Sequence, residues 1–174
     1  SWTKADDIRD FEIGGITLGD SLLDYMSKKE IINYEQKHYN LNSKFFETQY
    51  PKSKGLYKYL LFHVKRNDPS YIVHLIRGVN IVDGKNECLK IKKKIVKEIK
   101  PLFNESKFQE GSHKHYYYKN STQYISNFEF KNLDSVRIEC MIMHDKDLKI
   151  HGDIPDTLEV SISSAEFEKW INSL

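Results

Sequence analysis

Several things are scarce in this chain of 174 residues, and each scarcity excludes a class of protein. There are only four prolines and eight glycines, too few for a low-complexity linker or a collagen-like repeat. No apolar run approaches the roughly 18 residues of a membrane-crossing helix. Charge of one sign is not in excess: 27 Lys+Arg against 25 Asp+Glu give a formal +2. The acids are interleaved with the bases, so the clustered basic footprint of a nucleic-acid binder is missing, and no nucleic-acid partner is expected. Cysteine is down to two residues, enough for one disulfide and too few for a cysteine-rich scaffold.

What is present points to a packed domain. Aromatics reach 13%, with eleven Tyr and nine Phe, and such a chain does not stay unfolded. The length suits one domain with a sizeable core. The first residues, Ser1-Trp2-Thr3-Lys4-Ala5 before Asp6-Asp7, have the small residues and acidic start of a signal-peptide end. The expectation is a signal remnant or disordered N-terminus over 1–5, then a single domain over 6–174, in a periplasmic or secreted protein.

Periodicity supplies the elements. Residues 20–34 read as one or two short helices, with Ser21-x-x-Asp24 and Ser27-x-x-Glu30 in capping-box form. Residues 35–55 are polar and read mostly as loop. Tyr57–Arg66 alternates: Leu60, Phe62 and Val64 on one face, Tyr59, Leu61, His63 and Lys65 on the other. Tyr71–Val82 is a second strand, with Gly78 a candidate bulge. From Asn86 to about Lys100, Cys88, Ile91, Ile95 and Ile99 form a helical stripe that continues to Leu102, stopped by Pro101. Lys90, Lys93, Lys94 and Lys97 fall off that stripe, on a face that is solvated or touches anionic lipid or a polyanion. Strands are expected at His115–Lys119, Gln123–Phe130, Ser135–His144 and Thr157–Ser163, separated by turns that include Asp145-Lys146-Asp147. A final helix opens at Ser163-Ser164, its Phe167, Trp170, Ile171 and Leu174 aligned. Strands in runs, without βαβ alternation, give an α+β fold: a mainly antiparallel sheet with helices packed on one face. Cys88 on the helix stripe and Cys140 on a strand's apolar face then point into one interface and are expected to pair.

Four constellations bear on chemistry. His113-Lys114-His115-Tyr116-Tyr117-Tyr118-Lys119 interleaves bases with aromatics, a pattern that stacks on and neutralises a ligand. With Tyr57, Tyr59 and His63 on a neighbouring strand, His115 and Tyr117 would make one binding patch. His113 and His115, one residue apart on a strand, would share a face and could hold a metal, zinc by preference. Otherwise no cofactor is implied. Asn104-Glu105-Ser106 and Asn120-Ser121-Thr122 have the form of N-glycosylation sites. Finally, Gly19-Asp20-Ser21-Leu22 resembles the nucleophile block of the GDSL esterases. That resemblance implies Ser21 as nucleophile with a C-terminal base, nearest matched by His151. The Asp147-to-His151 spacing is one residue too long, and the family's sheet is parallel.

Asp10-Phe11-Glu12-Ile13-Gly14-Gly15-Ile16, running into Leu18-Gly19-Asp20-Ser21-Leu22-Leu23-Asp24-Tyr25-Met26-Ser27, is the most specific block of a wider likeness. Glu87-Cys88, Glu139-Cys140, and Leu158–Ile162 followed by Ser164, Phe167 and Trp170 continue it. Together they resemble a group of small exported proteins of marine alphaproteobacteria of the Pelagibacter type. The resemblance implies export, paired cysteines and one domain, and carries over no catalytic residue. The reading that results is an exported, non-enzymatic domain binding an envelope protein or small ligand. A serine esterase using Ser21 and a His-rich metal-binding protein are the alternatives.

Overall fold

The computed structural model describes residues 8, 11–37, 39–51 and 56–174. The expected signal remnant over 1–5 lies outside them. After the N-terminal segment comes a 3-10 turn, Leu22–Asp24, capped by Ser21. Asp24 does not complete a box there. The organising carboxylate is Asp20, which accepts from Thr17 N at 3.1 Å and from the Tyr25 hydroxyl at 2.7 Å. Helix α1, Lys28–Asn33, does open with the full Ser27–Glu30 capping box.

The stretch read as loop contains two strands, β1 (Glu35–Gln36) and β2 (Phe45–Gln49). In β2, Phe45, Phe46, Glu47 and Thr48 are all buried, so no apolar–polar alternation marks it. Then follow β3 (Tyr59–Lys65), β4 (Val73–Ile81), α2 (Gly84–Ile99), β5 (Lys107–Lys114), β6 (Thr122–Glu129), β7 (Ser135–Ile142), α3 (Asp145–His151), β8 (Thr157–Ser163) and α4 (Ala165–Ile171). Two further expectations are corrected. The strand set at 115–119 lies instead at 107–114, and the tyrosine run forms the turn after it. Asp145-Lys146-Asp147 opens a helix, capped by the His144 ring accepting from Lys146 N.

The eight strands form one antiparallel sheet in the order β1-β2-β3-β4-β8-β7-β6-β5. The fold is therefore α+β, as the strand runs indicated. β8 is inserted between β4 and β7, joining a β1–β4 half to a β5–β7 half. The bulge is not at Gly78, which pairs regularly with Leu60 and Val160. It falls at His74, the extra residue opposite the His63–Val64 step. Gly78 is required for another reason: a Cβ there would lie 2.4 Å from the Tyr57 ring.

The inner face carries the main core. Leu60, Phe62, Ile76, Val136, Ile138 and Ile162 are each fully buried on it. A segment bearing Ile13, Ile16, Leu18 and Leu22 covers the β1–β4 half, and α2 covers β7 and β8. Each such side chain contributes about 1.5–3 kcal/mol by leaving water. Cys88 of α2 and Cys140 of β7 are joined in a disulfide, Cα–Cα 5.9 Å, across a sequence separation of 52. A disulfide of this kind marks an oxidising environment. In the chain-entropy picture a loop of this length is worth about 4 kcal/mol. The α2 stripe also holds a residue that periodicity hides: Lys92, only 7% exposed, donates to Ser126 Oγ, which donates to Glu110 Oε1 at 2.6 Å.

Helix α4 packs on the other face, where Phe167 and Trp170 meet Phe45 and Leu75 in a second, smaller cluster. Helices thus sit on both faces, the long one inside and the short one over one end of the outside. Leu174 lies past α4 and is exposed. No described helix is long and apolar enough to cross a membrane.

Candidate functional site on the outer face of the sheet

The outward-pointing residues of successive strands are set by register. Glu47, His63 and Leu75 fall in one row; Gln49, Leu61, Arg77, Ser161 and Arg137 in the next; Tyr59, Val79, Glu159 and Glu139 in the third. The sequence scatters these residues from Glu47 to Ser161, and the sheet gathers them. Arg77 is the hub. Its Nη2 binds Glu47 Oε2, and its Nη1 lies 3.4 Å from Glu159 Oε2. Burial opposes the guanidinium charge, but Glu47, Glu159 and Glu139 outweigh that and hold its pKa above the usual arginine value.

Around the hub the groups are paired outward. His63 Nε2 lies 3.6 Å from Glu47 Oε2 and 3.2 Å from the Tyr39 hydroxyl. Thr157 Oγ1 donates to Glu159 Oε1 at 3.0 Å, and Gln123 Nε2 donates to Glu139 Oε1. Glu139 and Glu159 are direct cross-strand partners of like charge. Burial first, then the Glu159 charge, raises the Glu139 pKa above the usual carboxylate value.

Between these strands lies an open depression of about 240 Å³. Gln36, Glu47, Gln49, Tyr59, Arg77 and Glu159 line it, over Leu61 and Val79. The volume is below the roughly 300–1,000 Å³ of drug-sized pockets. It suits one side chain or one small polar unit. Two carboxylates and one guanidinium leave the rim anionic, and the planar amides and phenol offer hydrogen bonds and a ring.

The five residues expected to form one binding patch are separated. Tyr59 lines the depression, and His63 lies two rows from it beside Glu47, buried under α4 against Phe167 at 4.7 Å between rings. Tyr57 is on the inner face over Gly78, where burial pushes its phenol up to about 12. His115 and Tyr117 sit in the β5–β6 turn, several strands from β3; burial lowers the His115 pKa, and the charges of Glu159 and Arg77 still reach its ring.

Nor are the residues of the two alternatives assembled. Ser21 Oγ donates to the Ser70 carbonyl at 2.7 Å, at the end of the sheet where β4 begins. His151 ends α3, between β7 and β8 at the other end, and its ring packs on Tyr117 and Tyr118. His113 Nδ1 faces the Lys114 carbonyl, while His115 Nδ1 accepts from Tyr117 N and Tyr118 N. Among the described residues no group of three His, Cys, Asp or Glu is placed to hold a metal ion. Of the two glycosylation-type asparagines, Asn104 is exposed, whereas the Asn120 amide donates to Asp147 Oδ1 at 2.9 Å.

Arg77, Glu47, Glu139 and Glu159 were not singled out by sequence reasoning. Each is a single charged residue on the outward face of its strand, apart from Glu139, which has Arg137 two positions before it, and register alone converts them into a site. Comparison with protein-family models, curated proteins and solved structures finds no match for the chain.

Proposed function

We propose that this is an exported, non-enzymatic binding domain whose contact region is the outer-face depression around Arg77 and Tyr59. The observation that carries the reading is the gathering of ionised and planar polar groups from β2, β3, β4 and β8 about one open hollow. Desolvated charge pairs stabilise a fold little compared with apolar side chains of the same size, so a face built from them is better explained by recognition. The anionic rim selects a ligand or partner protein that presents a cationic or hydrogen-bond-donating group. Export is supported by the Cys88–Cys140 disulfide and by the resemblance to small exported alphaproteobacterial proteins.

An NMR titration with the peptide acetyl-Lys-Arg-Lys-amide tests the site. Amide shifts centred on Tyr59, Leu61 and Val79, and lost in Tyr59→Ala plus Gln49→Ala, are expected. No shifts, or shifts spread over α2, would remove this reading. The compartment is tested separately, by mass spectrometry of unreduced peptides from protein taken from its own cells. A linked Cys88–Cys140 peptide is expected, and two free thiols would overturn export.

A further inference from the structure

The tyrosine run left unused by that site forms an exposed tip on a hydrogen-bonded base. Tyr116 is 95% exposed and Tyr117 is 62% exposed, the former more than any other large hydrophobic side chain described. Such exposure normally goes with a mobile loop. Here the turn is instead held from beneath. The buried Asp147 carboxylate accepts from Asn120 N at 3.0 Å, Ser121 N at 2.7 Å, Asn120 Nδ2 at 2.9 Å and Ser121 Oγ at 2.6 Å. Ser121 Oγ also accepts from His144 N at 3.0 Å, which ties the turn to the start of α3. Within the turn, His115 stacks on Tyr118 at 4.9 Å and takes two backbone N–H groups on Nδ1. Two tyrosines are thus presented to solvent on a fixed base.

Their surroundings define what they fit. Lys114 and Lys119 flank the turn, and Lys146 and Lys149 stand exposed on α3, whose His151 touches Tyr117 at 5.1 Å. The exposed acids of the same stretch are Asp145 and, further along, Asp153, since Asp147 is buried beneath the turn. Ile150, 70% exposed, adds an aliphatic side chain beside them. Tyrosine rings that lodge at the headgroup level, an aliphatic neighbour and lysines that reach anionic headgroups are the chemistry of a membrane interface. We propose that this tip docks the domain peripherally on an anionic lipid surface. The rings enter the headgroup layer, the lysines pair with lipid charge, and the outer-face depression stays free for its own ligand.

Flotation of the whole chain with vesicles tests this, using phosphatidylcholine alone and phosphatidylcholine with roughly a quarter phosphatidylglycerol. Binding only to the anionic vesicles is expected. Tyr116→Ser with Lys119→Glu, both on exposed side chains, should lower the partition coefficient at least about tenfold. Lys93→Glu with Lys97→Glu on α2 is the charge control and should lower it far less. Three results would overturn the proposal: no binding to anionic vesicles, equal loss in the α2 control, or unchanged binding in Tyr116→Ser alone. The last would leave a diffuse cationic attraction, of the kind that heparin beads would also report. Unaltered far-UV circular dichroism of each variant separates loss of docking from loss of fold.

Discussion

The two faces of this sheet are built from the same eight strands and obey opposite rules. Inside, Leu60, Phe62, Ile76, Ile138 and Ile162 exclude water because they have nothing to offer it. Outside, Glu47 is 2% exposed and Glu139 8%, values that belong to a core, yet both are carboxylates. The inner face is held by area removed from water, which is additive and tolerant of detail. The outer face is held by charges that must answer one another, Arg77 with Glu47 and Glu159, and Gln123 with Glu139. Burial therefore has two meanings here. On one face it is the source of stability. On the other it is a condition imposed on polar groups, and it makes each of them matter to its neighbours.

The comparison breaks most readily from the inside. Phe62→Ala is expected to cost about 5 kcal/mol, near the top of the range for a fully buried phenylalanine, by urea unfolding. Replacing Cys88 and Cys140 by Ala together should cost about 4 kcal/mol, read as a lower denaturation midpoint that matches the reduced wild type. On the outer face, Arg77→Met should cost about 2 kcal/mol, discounted because a third of its side chain meets solvent. The double variant Arg77→Met with Glu47→Gln should recover most of that loss. An additive double variant would show that the two groups do not answer one another, and the contrast between the faces would fail.

Acid sharpens the same contrast. Burial alone would raise the Asp147 pKa, but its hydrogen bonds from Ser121 and Asn120 lower it to about 2. An aspartate whose folded pKa is depressed adds stability above its unfolded value, near 4. That contribution is lost as pH falls from about 4 towards about 2. Asp147→Asn should flatten stability across that window, measured by thermal unfolding at each pH. The smallest effect is expected from Lys90→Gln on the exposed side of α2, within about 0.5 kcal/mol.

Legibility in the sequence followed burial on one side only. β3 was legible because Leu60, Phe62 and Val64 on its inner face announce the core, although His63 on the outer face is buried too. α2 and the Cys88–Cys140 pair were legible for the same reason. β2 was not, because all of Phe45–Thr48 is buried and both of its faces look alike. β5 was hidden by the opposite cause: as an edge strand it is exposed along nearly its whole length, and the tyrosines after it imitate a strand. The candidate site was the least legible part. Tyr59 and His63 lie on the face that carries the candidate site, but Arg77 meets Glu47 and Glu159 only through the pairings of β2, β3, β4 and β8. Those pairings are properties of register, which no single segment contains.

The position of β8 has a consequence for how the protein comes into being. The strand that completes the centre of the sheet, Thr157–Ser163, is the last of the eight in chain order. A ribosome delivers β1–β4 and β5–β7 well before it delivers the piece that bridges them. Until then each half carries an open edge, at β4 and at β7, able to pair with strands from another chain. Completion is therefore an event that follows synthesis of the other seven strands, and it is the interval in which a chaperone has the most to guard. The ring closed by Cys88 and Cys140 ends before β8 begins, so oxidation can fix α2 against β7 and leave that gap waiting for its last strand.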